Sequence, residues 1–192
     1  LIEVQDRLCQ SISNKYWTAG VCMDLSKAFD TLDHNILLEK LNHYGIRGIA
    51  HNWFCSYLEN RHQYVVFNEC KSKPEKIRCG VPQGSILGPL LFILYINDIY
   101  NCSKEGKFIL FADDTNVLFT AKNLIDLQKM VNTELQNIHK WLLCNKLFLN
   151  VKKTKYLIFH AVNKQKTVNE FNFEILIDKT PIERVQSLKF LG

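Results

Sequence analysis

Strong apolar strands seldom finish in aspartate, because an ionised carboxylate at the edge of a core is costly unless something positive compensates it. In this sequence it happens twice. Asp24 closes the run VCMDL, and Asp113 with Asp114 interrupts FILFADDTNVLF. If the two runs are neighbours in one sheet, three carboxylates converge, and their mutual repulsion raises a pKa unless a divalent cation neutralises them. Oxygen-only ligands of this kind suit Mg²⁺, which binds through one or two carboxylates plus substrate phosphates. Taken in isolation, Asp113-Asp114 is more readily a turn dipeptide and Asp24 a helix cap. The surrounding elements decide between the two readings.

Those elements alternate between strand and helix. Thr18 to Leu25 reads as a buried strand, and Asp33 as the N-cap of a helix carrying Leu37, Leu41 and Tyr44 and stopped by Gly45. A second helix places Ile49, Trp53 and Tyr57 on one apolar stripe. His62 to Asn68 and Glu75 to Cys79 read as a hairpin around the turn Lys71-Ser72-Lys73-Pro74. After the loop Gly80-Val81-Pro82-Gln83-Gly84, Ser85 opens an apolar helix running to about Tyr100. Lys107 to Ala121 is two strands with Asp113-Asp114 between them, a tight hairpin with an acidic tip. From Asn123, apolar residues recur at spacings of three and four as far as Leu142, the strongest amphipathic pattern in the chain. Lys155 to His160, Asn172 to Asp178 and Val185 to Leu191 are further strand candidates, the last two hinged by Asp178-Lys179-Thr180-Pro181. Residues 161–169 read as a linker.

Composition narrows the class. The 192 residues are 47% apolar and 22% charged, which excludes a disordered or fibrous chain. The longest apolar stretch, Ile86 to Ile96, is interrupted by Gly88 and Pro89 and is far shorter than the roughly 20 residues of a membrane-spanning helix. Seven cysteines at wide spacing, with no CxxC pair, look like reduced intracellular thiols. No Cys/His cluster offers zinc a site. The net charge of +5 arises wholly in residues 101–192, where 14 Lys and Arg face 9 Asp and Glu. No acidic residue lies between Glu134 and Glu170, while Lys140, Lys146, Lys152, Lys153, Lys155, Lys164 and Lys166 fall there among aromatic residues. That pattern is a candidate polyanion-binding surface.

Four segments, VCMDLSKAFDTLDH (21–34), CGVPQGSILGPLLFILYIND (79–98), FADD (111–114) and LFLNVKKTKYLIF (147–159), resemble in order and spacing the successive palm motifs of reverse transcriptases. They are most similar to those of non-LTR, jockey-type retrotransposons. Leu188-Lys189-Phe190-Leu191-Gly192 resembles the start of that family's primer-gripping motif. The resemblance implies an α+β polymerase palm: an antiparallel sheet of three or four strands bearing Asp24 and the acidic hairpin, with the helices of residues 85–100 and 123–143 packed on the other face. It implies RNA-directed DNA synthesis from dNTPs on an RNA template and DNA primer, with two Mg²⁺ ions, Mn²⁺ being an alternative metal. The rivals are a non-catalytic nucleic-acid-binding remnant and an RNA-dependent RNA polymerase.

By the same resemblance, Asp24, Asp113 and Asp114 are the catalytic, metal-holding carboxylates. Lys153, in the N-x-x-K-T match Asn150 to Thr154, is a candidate for protonating the leaving pyrophosphate. Leu25, Phe29, Gln83, Gly84 and Ser85 are the substrate-binding positions. Phe29 would lie beneath the incoming sugar and exclude a 2′-hydroxyl, and Gln83 with Gly84 would back the nascent base pair. Asp30 and Asp33 also match, Asp33 reading as a helix cap. The chain is expected to be a partial domain, a palm with part of the fingers, cut from a polyprotein whose N-terminal fingers and thumb lie outside it. Such a piece should have little polymerase activity alone. The family's habits imply a nuclear and cytoplasmic protein with no membrane partner.

Overall fold

The computed structural model describes residues 2–111, 114–161 and 171–187. The chain divides into two units. The sheet unit comprises Leu1–Ser26, Asp98–Cys144 and Phe148–Gly192, and the helical unit comprises Lys27–Asn97 and Asn145–Leu147.

The sheet unit is built on β1 (Trp17–Met23), β6 (Lys107–Phe111), β7 (Asp114–Ala121), β8 (Lys155–Phe159) and β11 (Glu183–Arg184), in the order β11-β8-β1-β7-β6. Four of these strands run antiparallel to their neighbours. The short edge strand β11 pairs with β8 in parallel, so the sheet has five strands rather than the expected three or four. Alternation along β1 divides it into two faces. Trp17, Ala19, Val21 and Met23 are buried on one side, with Val117 and Phe119 of β7. On this face lies α5 (Leu124–Cys144), whose Leu127, Val131, Leu135, Ile138 and Leu142 are buried as the three-four spacing requires.

The opposite face also carries a helix. In α1 (Ile2–Ser13), which the sequence reading did not anticipate, the buried Ser11 hydroxyl lies 2.7 Å from that of Thr18, which in turn lies 3.0 Å from that of Thr120. Helices therefore cover parts of both faces. Of the last strand candidates, residues 172–178 shrink to β9 (Leu176–Ile177), paired with β10 (Thr180–Pro181). The turn between them, Asp178-Lys179, has both residues at positive φ, at the expected hinge. Residues 188–192 lie outside the described residues, as does most of the expected linker.

In the helical unit, α2 (His34–His43) and α4 (Leu87–Ile96) join through Leu37 and Leu41 on one side and Leu91, Phe92 and Tyr95 on the other. The Tyr95 hydroxyl donates to the Asn145 carbonyl at 2.6 Å, and Lys40 Nζ donates to the Tyr95 carbonyl at 2.7 Å. A 3₁₀ turn, Ile99–Cys102, follows α4 in sequence, so the expected helix to Tyr100 stops early. The expected apolar stripe of α3 (Gly48–Leu58) is not buried: Ile49 is 90% and Trp53 52% exposed, and Leu58 is the residue that enters the core.

The expected hairpin forms in two short rungs, β2 (His62–Gln63) with β5 (Glu75–Lys76) and β3 (Val66–Phe67) with β4 (Cys70–Lys71). Its tip is Asn68-Glu69, both at positive φ, and not Lys71 to Pro74. A two-residue loop with two left-handed residues matches the twist of a hairpin, and Asn tolerates that conformation well.

Candidate active site

Asp24 follows the last residue of β1, and Asp114 is the first residue of β7. The β1–β7 register ends at Met23↔Thr115. Carried one residue further, it sets Asp24 opposite Asp114, two acidic positions that share one face of the sheet as directly facing cross-strand neighbours do. Cys22 and Asn116 form the preceding pair on that face. The Cys22 thiol is pushed up to about 11, first by burial and then by the Asp114 carboxylate. The charge of Asp114 is thus felt on the face that Cys22 occupies, and no ion pair among the described residues cancels it. Phe111↔Asp114 closes the β6–β7 ladder, while Asp113 and Ala112 lie outside the described residues.

The backbone of Asp24 is fixed from the segment before β8. The Asn150 amide donates to the Asp24 carbonyl at 2.8 Å. The Asp24 amide reaches the Thr154 hydroxyl at 3.4 Å, and that hydroxyl donates to the Asn150 carbonyl at 2.9 Å. Thr154 is fully buried. Asn150 and Thr154 belong to the N-x-x-K-T match, and their hold on Asp24 has no local sequence signal, because it depends on a contact across 130 residues. Lys153 sits in this turn, exposed, with its amide bonded to Asn150. Leu25 is buried and bridges to Leu149, so its side chain belongs to the core.

In the helical unit, Phe29 is half-buried and tilts against Phe92 of α4, ring centroids 4.9 Å apart. The loop 80–84 is laced to the segment around it: the Val81 amide donates to the Phe29 carbonyl at 2.8 Å and the Gly80 amide to the Leu32 carbonyl at 2.7 Å. His34 Nε2 donates to the Gly80 carbonyl at 2.8 Å. Gly80 has φ +81°, and a Cβ there would lie 2.6 Å from the Asp30 carbonyl oxygen, so only glycine fits. Gln83 Nε2 donates to Asp30 Oδ1 at 2.9 Å. Gly84, at φ +80°, has open space where a side chain would stand. The Ser85 hydroxyl accepts from the Gly88 amide at 3.0 Å and donates to the Pro82 carbonyl at 2.8 Å, serving as a cap at the start of α4.

Asp33 caps α2 through the amides of Asn35 and Ile36 and pairs with Lys146 at 2.5 Å. Burial works against its ionised form, but these partners outweigh it and hold the carboxyl below its usual range. The basic run is partly spoken for: Lys146 is held by Asp33, and Lys155 pairs with Glu183 at 3.1 Å. Lys164 and Lys166 lie outside the described residues. No group of three or more His, Cys, Asp or Glu able to hold a metal ion occurs among the described residues. No described helix is long and apolar enough to cross a membrane, and all seven cysteines are free.

A mainly antiparallel sheet with Asp24 just past the end of one strand and Asp114 at the start of its neighbour is the arrangement of a palm-type nucleotidyltransferase fold. Residues 3–192 match the family described as "Reverse transcriptase (RNA-dependent DNA polymerase)", and the chain belongs to that family. Among its relatives, the probable RNA-directed DNA polymerase from transposon BS of Drosophila melanogaster is 26% identical over 96% of this chain and 21% of its own length. The polymerase of the mobile element jockey from the same organism is 30% identical over 69% of this chain and 15% of its own. The chain spans about a fifth of the length of the first of these relatives. The fold is shared with telomerase from Candida tropicalis, solved with a fragment of telomeric RNA (TM-score 0.57, 15% identity, 81% of this chain and 29% of that one). Telomerase from Candida albicans is similar (TM-score 0.55, 17% identity, 80% and 30%). The expected α+β reverse-transcriptase fold and the likeness to non-LTR elements are borne out.

Proposed function

We propose that this chain is the palm region of a longer RNA-directed DNA polymerase of a non-LTR retrotransposon, adding dNTPs to a primer 3′-hydroxyl on an RNA template. The observation that carries this reading is the β1–β7 register, which extends to set Asp24 opposite Asp114. The donor set fits a hard divalent cation: it is oxygen only, and it faces no cationic partner among the described residues. Asp24 and Asp114, with Asp113 beside them in sequence, would hold Mg²⁺ or Mn²⁺. When bound, two such ions supply neutralisation of the charge that develops on the attacking and leaving oxygens of an in-line displacement.

The chain's own residues place and select. Asn150 and Thr154 fix the backbone on which the Asp24 carboxylate is mounted. Lys153, exposed on the same turn, is the candidate to meet leaving pyrophosphate. Phe29, braced by Phe92, presents a rigid half-exposed ring suited to rejecting a 2′-hydroxyl. Gly84 leaves room for close approach of a nucleotide to the main chain, and Gln83 is oriented by Asp30.

Primer extension by the full-length polymerase tests the reading. Incorporation of dNTPs over rNTPs on an RNA template, abolished by Asp24→Ala with nucleic-acid affinity unchanged, is the expected result. Preference for rNTPs would favour an RNA polymerase, and extension that survives Asp24→Ala would remove the assigned site.

A further inference from the structure

Helices on a sheet normally bury an apolar stripe, yet α1 buries one residue, the polar Ser11. Beneath this helix, against β1, β7 and the start of β6, is a cavity of about 260 Å³. Its floor is the chain of hydroxyls that runs from Ser11 through Thr18 to Thr120, at 2.7 and 3.0 Å. Ser11 is 7% and Thr18 2% exposed. Three hydroxyls carry three protons and two bonds join them, so donor and acceptor capacity is left over on the floor.

The walls add positive charge. The Arg7 guanidinium gives two N–H groups to Glu3 Oε1, at 3.2 and 2.9 Å, and keeps the others. Lys107 is exposed and makes no ion pair among the described residues. No carboxylate lines the cavity. The side-chain amides of Gln10 and Asn14, also in the lining, make no hydrogen bond among the described residues, and Leu8 and Leu118 supply apolar surface. An adjoining hollow of about 360 Å³ along β6 shares Arg7 and Lys107 and adds Lys104, with Glu3 as its one carboxylate.

Each part of this lining narrows the class of ligand. Cations with no carboxylate facing them favour an anion. A wholly apolar body on that anion would leave the hydroxyls and amides unpaired, and a bare phosphate would leave the floor unused. A nucleic-acid backbone follows an open track from phosphate to phosphate. This hollow of about 260 Å³ is smaller than the roughly 300–1,000 Å³ of pockets for drug-sized ligands. What fits is a small molecule with phosphate at one end and hydroxyls on the other, its C–H face laid on Leu8 and Leu118.

We propose that the cavity under α1 binds a small sugar phosphate, its phosphate between Arg7 and Lys107 and its hydroxyls on the Ser11–Thr18–Thr120 floor. Thr120 stands six residues from Asp114 along β7, about 20 Å at roughly 3.3 Å per residue, so this site is separate from the acidic positions. It does not rest on the polymerase reading above.

The test is calorimetric titration of the full-length protein, without divalent metal, with ribose 5-phosphate as the probe. One molecule per chain is expected. Lys107→Gln removes a charge-assisted contact and should weaken ribose 5-phosphate and inorganic phosphate alike, each about 10-fold. Thr120→Val, at an exposed strand position where a β-branched residue is well tolerated, should weaken ribose 5-phosphate about 5-fold and leave inorganic phosphate unchanged. Primer extension by Lys107→Gln should match the wild type, and a loss there would move Lys107 into the polymerase machinery and overturn the inference. It is equally overturned if the wild type takes up no ribose 5-phosphate, if inorganic phosphate binds as tightly, or if either variant binds the probe as the wild type does. Displacement of the probe by an RNA oligonucleotide with hydroxyls at both ends would make the cations part of a nucleic-acid surface, which also refutes the sugar-phosphate site.

Discussion

The two units hold their candidate functional groups by different means. In the sheet unit the acidic positions are brought together by pairing between strands about ninety residues apart in sequence, and Asp24 is locked by a hydroxyl from Thr154. In the helical unit Phe29, Ser85 and the loop of Gln83 and Gly84 are held by loop and side-chain contacts within and between the segments 29–34 and 80–92, which hydrogen-bond to each other across 46 to 53 residues of sequence. The difference has a chemical rationale. Carboxylates that share a cation must be mounted rigidly, because placement is most of what phosphoryl transfer asks of the protein. Groups that judge a base pair or a sugar act by shape, and a loop that leaves room at Gly84 suits that task. Under the proposed function, the sheet unit sets the rate and the helical unit sets substrate choice.

The most severe way to break this division is Asp24→Asn, which keeps the side-chain shape and removes the charge. Extension should fall by on the order of 10³-fold or more, while the dNTP to rNTP preference of any residual activity stays as in the wild type. Phe29→Ala should do the reverse: rNTP incorporation should rise at least about 10-fold relative to dNTP, with the rate on dNTP reduced far less, as single-turnover kinetics on both nucleotides would show. A variant in which both quantities move together would erase the distinction.

Smaller effects sharpen it. Gly80→Ala forces a non-glycine residue to φ +81° and drives its Cβ against the Asp30 carbonyl. A loss of about 2–3 kcal/mol in urea unfolding is expected. Thr154→Val leaves a nearly isosteric side chain but removes both hydroxyl bonds, so extension should slow by about 10-fold with a stability loss of roughly 1 kcal/mol. Asp33 gives the mildest perturbation. Its folded carboxyl titrates below the ordinary value of 3.8, so its contribution is present above about pH 4 and is lost as pH falls through the lowered value. Asp33→Asn, still a competent cap, should flatten the loss of stability on acidification below pH 4 and cost well under about 1 kcal/mol at pH 7.

How much of this was legible in the sequence follows from the range of the interactions. The strand ending in Asp24, the helix capped by Asp33 and the long amphipathic helix each carry a local pattern, and each forms within two residues of its expected place. Features decided by distant partners did not announce themselves. The Ile49/Trp53/Tyr57 stripe has perfect helical spacing yet faces outward, since periodicity reports that one side of a helix is apolar and not what covers it. The hairpin tip moved to Asn68-Glu69 because two left-handed residues fit the strand twist better than a turn built on Pro74. The parallel strand β11 and the lock on Asp24 depend on register, which no single segment encodes.

The central claim is that Asp24 and Asp114 jointly hold a divalent cation. The direct measurement is Mn²⁺ binding to the full-length protein, followed by electron paramagnetic resonance in the presence of a dNTP and a primer that lacks its 3′-hydroxyl. Two bound Mn²⁺ ions are predicted for the wild type, with at least one lost in both Asp24→Asn and Asp114→Asn. Unchanged Mn²⁺ occupancy in either variant would contradict the account.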